Sequence, residues 1–105
     1  MEQLSRISGM EEKLNGAREA LEALEKALEA YRAALPDIHA LEDYLRSEDW
    51  RADFAADEAG TLPPWLRRGV LSEDGIYDLL EEHGLLRLRL AAAAEGFADT
   101  DTEEE

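Results

Sequence analysis

An all-α fold follows from three features of this sequence. From Ile7 to Leu35 the apolar residues step by three and four without a miss. A second run of that kind begins just after Ser72, at Ile76. Between them, glycine, proline and tryptophan collect in one stretch, Trp50 to Asp78, as they do where helices are joined by a shaped connection.

The first helix is expected over about residues 3–34. Ile7, Met10, Leu14, Ala17, Leu21, Leu24, Leu28, Tyr31 and Leu35 form four heptads of a/d seam, with Leu4 extending it upstream. The residues between them are mostly Glu, Lys, Arg and Ala, which favour helix. Glu22 with Lys26, and Glu2 with Arg6, stand in the favourable i,i+4 order. Gly9 and Gly16 weaken the N-terminal third, by up to ~1 kcal/mol each against Ala. Pro36 is expected to end the helix, because a proline pushes the residue before it out of the helical region.

A short return helix is expected over about 37–47, capped by Asp37, with Ile38, Leu41, Tyr44 and Leu45 on one face. A tight turn at 35–37 would fold it back antiparallel on the first helix. Residues 48–71 then read as an irregular connection anchored by Trp50, Phe54, Leu62 and Trp65. The third helix is expected over about 73–95, capped by Ser72, with Ile76, Leu79, His83, Leu86 and Leu90 on its apolar face and Gly84 passed through. At 1.5 Å per residue the first helix is ~48 Å long, roughly the second and third together, which favours a three-helix bundle. A single domain over 1–97 with a mobile acidic tail over 98–105 is expected.

The totals narrow the function classes. The chain has 105 residues and a net charge of −15. Residues 1–36 hold seven acids and five bases, and residues 37–105 hold nineteen and six. Such a surface repels phosphates and anionic lipid, so neither nucleic acid nor membrane is an expected partner. Without cysteine there is no disulfide, no thiolate zinc site and no cysteine nucleophile. No signal peptide and no apolar run near the ~20 residues of a membrane helix is seen, so a cytoplasmic location is expected.

Chemistry-bearing groups read mainly as structural ones. Asp53, Asp57 and Glu58 lack the ligand order of a calcium loop, and pairing with Arg51, Arg67 or Arg68 is the better reading. Ser72, followed by Glu73 and Asp74, is a helix cap; no histidine or lysine is positioned to activate it. His39 and His83 have no matching ligand set. Trp50 and Trp65 read as pegs holding the connection on the helices. No phosphate loop, dinucleotide fingerprint or zinc-protease helix is present, and no cofactor is expected.

The run Tyr44-x-x-Ser47-x-x-Trp50-x-x-Asp53, followed by Leu62-Pro63-x-x-Leu66-x-Arg68-Gly69-Val70-Leu71-Ser72-Glu73-Asp74-x-x-Tyr77-Asp78-Leu79-Leu80, resembles a family of small bacterial proteins catalogued as a domain of unknown function. The resemblance spans residues 1 to about 90 and is most specific at Arg68–Asp74. It implies a compact all-helical cytoplasmic protein and carries no activity.

The sequence therefore points to a non-enzymatic protein–protein interaction module. A structural clasp or interaction surface is expected from Trp50, Asp53, Asp57, Trp65, Arg68, Ser72, Asp74 and Tyr77. If the seam is not covered within one chain, a homodimer through the first helix follows. The alternative is an acidic inhibitor or immunity-type protein that blocks a basic surface by salt-sensitive binding.

Overall fold

The computed structural model describes residues 1–72 and 74–104, with side chains as far as Gly96. It is all-α: a long helix α1 (Glu2–Leu45), a short α2 (Glu48–Glu58) and a third, α3 (Gly75–Glu104). A 3₁₀ turn at Gly69–Leu71 lies between α2 and α3, and no strand occurs among the described residues. α3 runs on to Glu104, past the end expected near residue 95; where the mobile acidic tail was expected, the side chains beyond Gly96 and the final residue lie outside those described.

Class and helix order agree with the sequence, but several boundaries do not. Pro36 does not end the first helix. It lies inside α1, so the backbone stays helical through 35–37 and the expected turn is absent. Residues 37–45 belong to α1 and not to a separate return helix. The proline ring fixes φ near the helical value, but it removes the N–H that would bond the Arg32 carbonyl and crowds that same carbonyl. The preference acting on the residue before proline is a bias, and long helical runs on both sides override it here.

The short second helix instead occupies 48–58, within the stretch expected to be irregular. Ser47 caps it from an extended backbone, its hydroxyl accepting from the Trp50 N–H at 3.1 Å, and Glu48 and Asp49 occupy the first turn. Its far end is a Schellman arrangement. Thr61 N–H donates to the Ala56 carbonyl and Gly60 N–H to the Asp57 carbonyl, both at 3.1 Å, with Gly60 at φ 72°. A side chain at Gly60 would be strained in that left-handed conformation.

The chain divides into two compact units, Met1–Asp37 and Ile38–Glu105. In the first unit, Leu4, Ile7, Met10, Leu14, Leu21, Leu24 and Leu28 are 48–66% exposed, so most of the seam stands open to solvent. Tyr31 and Leu35 are half-buried.

The second unit holds the core. Leu71 and Ile76 are buried at 5% and 3% exposure. Leu41, Leu45, Trp50, Phe54, Leu62, Leu79 and Leu80 are half-buried. The 3₁₀ turn touches both α2 and α3, so Leu71 enters the core from the segment that joins them.

The start of α3 is a close approach. The Ser72 hydroxyl donates to the Gly69 carbonyl at 2.9 Å and accepts from the Gly75 N–H at 3.0 Å. A Cβ at Gly75 would collide with the Gly69 carbonyl oxygen and stand 2.7 Å from Ser72 Oγ. Thus Gly75→Ala is expected to destabilise the second unit by about 1–3 kcal/mol. Gly84→Ala has no atom within 4 Å of the new Cβ and lies inside α3, so it is expected to stabilise by about 0.5–1 kcal/mol. Urea unfolding followed by tryptophan fluorescence gives both values; similar effects at the two glycines would contradict the close approach.

Candidate functional site

The second unit gathers most of the residues singled out by sequence around the α1–α2 junction and the 3₁₀ turn. At the end of α1, the Ser47 hydroxyl donates to the Tyr44 carbonyl at 2.6 Å while accepting from Trp50 N–H. One serine thus closes α1 and opens α2. Nine residues beyond Tyr44, the Asp53 carboxylate accepts from the Tyr44 hydroxyl at 2.6 Å. Tyr44, Ser47, Trp50 and Asp53 are spaced by three residues and joined through the bonds around Ser47 and this tyrosine–carboxylate bond.

Trp50 carries a long link in sequence. Its indole N–H donates to the Val70 carbonyl at 2.9 Å, twenty residues away, and its ring stacks on Phe54 with centroids 5.1 Å apart. A second tie joins the same two segments, from the Arg68 guanidinium to Asp57 at 2.9 Å. Both ends of this ion pair keep contact with water, at 39% and 27% side-chain exposure, so it directs the path of the loop more than it stabilises the fold.

Trp50, Asp53, Asp57, Arg68 and Ser72 belong to bonded contacts that shape the connection. Trp65 does not peg it, being 79% exposed beside a Pro63–Leu66 turn. Pro63 and Pro64, which precede Trp65, are exposed as well. Tyr77 is also largely exposed, and Asp74 contributes its backbone carbonyl to the first turn of α3.

Two relationships were not legible beforehand: Tyr44 with Asp53, and the Val70 carbonyl as acceptor for Trp50. The first had a signal in the three-residue stepping from Tyr44 to Asp53. The second had none, since any backbone carbonyl can accept.

Chemically, the side chains are committed to one another. Asp53 faces Tyr44, Asp57 faces Arg68, and the Ser72 hydroxyl is occupied on both its donor and acceptor sides. Among the described residues no group of three or more His, Asp or Glu side chains gathers as metal ligands would. An apolar groove of about 440 Å³ runs beside the 3₁₀ turn, lined by Leu41, Arg67, Val70, Ile76 and Leu79 among others. A smaller polar one, about 190 Å³, is lined by His39, Glu42, His83 and Arg87 among others.

The Tyr44 hydroxyl is pushed up from 10.0 to about 12, first by its bond to Asp53, then by burial and by the charges of Asp53 and Asp49. A raised acid of this kind contributes stability below its unfolded pKa and loses it as pH rises through the folded one. Stability should therefore decline between about pH 10 and 12, and Tyr44→Phe should flatten that decline in chemical unfolding curves. Trp50→Phe keeps a ring for the Phe54 stack and loses the bond to Val70, at a cost of about 1 kcal/mol. Arg68→Ala should cost less than that, because its ion pair is solvated. Thermal denaturation ranks the two, and a larger loss at Arg68 would show that the ion pair is the main tie.

Among the described residues, no helix is long and apolar enough to cross a membrane. Comparison with curated proteins and with solved structures gives no match. The family model described as a domain of unknown function (DUF4298) matches residues 7–90, a span that takes in the seam from Ile7, the α1–α2 junction, the 3₁₀ turn and the first half of α3. With most of its length inside that match, the chain belongs to the DUF4298 family.

Proposed function

We propose that this chain is a non-enzymatic protein–protein interaction module whose contact surface is the apolar face of its first unit. The observation that carries this reading is the open seam from Leu4 to Leu28. Isolated helices gain little stability from propensity alone; packing of an apolar face supplies most of it. Gly9 and Gly16 lower that propensity further. Fully burying a leucine side chain contributes about 1.5–3 kcal/mol, so covering this face adds far more than the helix lacks by itself. The second unit serves as a folded base, with its own core and its bonded connection.

The acidic balance of the chain, −15 overall, favours a protein partner over nucleic acid or an anionic membrane. Paired replacement Leu14→Glu with Leu21→Glu tests the proposal. Light scattering and affinity capture from host lysate should show that the native chain associates, with itself or another protein, and that the variant does not. Trp50 fluorescence should report an unchanged second unit. A variant that keeps every association of the native chain refutes the module.

A further inference from the structure

Resting on that reading, we infer that the occupant of the seam is a second copy of this chain, bound antiparallel and centred near Glu19. The charges beside the seam carry the inference. With Ile7 and Leu14 at a, and Met10 at d, the e positions are Glu11, Arg18, Glu25 and Arg32, alternating in sign. The g positions are Arg6, Lys13, Ala20, Ala27 and Ala34.

In a parallel pair in register, each g residue faces the partner's e residue five positions later. Arg6 then attracts the partner's Glu11, but Lys13 meets the partner's Arg18, and Ala20 and Ala27 face charges without answering them. Attraction and repulsion cancel. Reversing one helix sets e against e and g against g. The alternating signs then become complementary: Glu11 meets the partner's Arg32, and Arg18 meets the partner's Glu25, each pair occurring twice by the twofold. On the other flank Ala20 meets its own copy and Lys13 meets the partner's Ala27, so no like charges face one another there.

The direction of the side chains sets the register. Helical side chains lean towards their own N-terminus. Facing e residues of antiparallel helices therefore meet when each backbone position lies beyond the other's level by several residues. For Arg18 and the partner's Glu25 this places the centre of the pair near Glu19. The apolar layers are then Met10 with the partner's Leu28, Leu14 with the partner's Leu24, and Ala17 with the partner's Leu21. The structure leaves all of these residues open, and the small Ala17 makes room for a leucine.

The chain has no cysteine, so single cysteines report the pairing without background. An equimolar mixture of Leu14→Cys and Leu24→Cys should form the mixed disulfide on mild oxidation, with little cross-linking of either variant alone. Self-cross-linking of Leu14→Cys alone, as a parallel pair requires, overturns the inference. Glu25→Arg should weaken dimerisation about tenfold at low salt, and adding Arg18→Glu should restore it. In a parallel pair residue 25 faces Ala20, so an unchanged dissociation constant for Glu25→Arg also overturns it. If light scattering shows a monomer at every concentration, the second copy is overturned. In that case, capture of another protein that depends on Leu14 and Leu21 leaves the interaction reading standing, and capture of none removes both.

Discussion

The hydrogen bond from the Trp50 indole to the Val70 carbonyl is the constraint on which the second unit depends. It spans twenty residues at 2.9 Å and fixes the 3₁₀ turn against α2. With that turn held, Leu71 is carried into the core. The Gly69 carbonyl is then available to the Ser72 hydroxyl, which in turn receives the first N–H of α3. Indole, turn, buried leucine and helix start form one chain of dependence, and Gly75 is the point where it is tightest, because no side chain fits there. The solvated Arg68–Asp57 pair accompanies this arrangement and does not create it.

Helix identity was largely legible because it rests on periodicity, and periodicity survives without knowledge of partners. Boundaries were less so. The serine-acid-acid sequence occurs twice, at Ser47-Glu48-Asp49 and at Ser72-Glu73-Asp74. The second marks the start of a helix in sequence and in structure; the first marks the start of α2 just as well, but was masked by the tryptophan that follows it. Proline misled in the other direction. A strong local bias at Pro36 yields to two long helical runs, an outcome decided by the cooperativity of the whole segment and not by one dipeptide.

The candidate site shows where sequence reasoning stops. Charged pairs between neighbouring elements can be guessed from composition, and Arg68 was among the three arginines expected to pair with Asp53, Asp57 or Glu58. Which tryptophan packs could not be guessed. Trp50 sits in the first turn of a helix capped by Ser47, whereas Trp65 follows two prolines in an exposed turn. Two residues of the same type, fifteen positions apart, thus end in opposite environments because the backbone before each one differs.

Pro36 has a consequence for cooperativity. A helix propagates by one hydrogen bond per residue, and at Pro36 that sequence of bonds is interrupted one residue before the division between the two units. Melting that begins at Met1 therefore meets a weak link before it reaches the core around Leu71 and Ile76. Under the proposed pairing, the order of the first unit is then set by the second copy and its concentration, while the second unit has a core of its own. A chain paired in that way would have no single unfolding free energy; it would have one that belongs to the molecule and one that belongs to its surroundings.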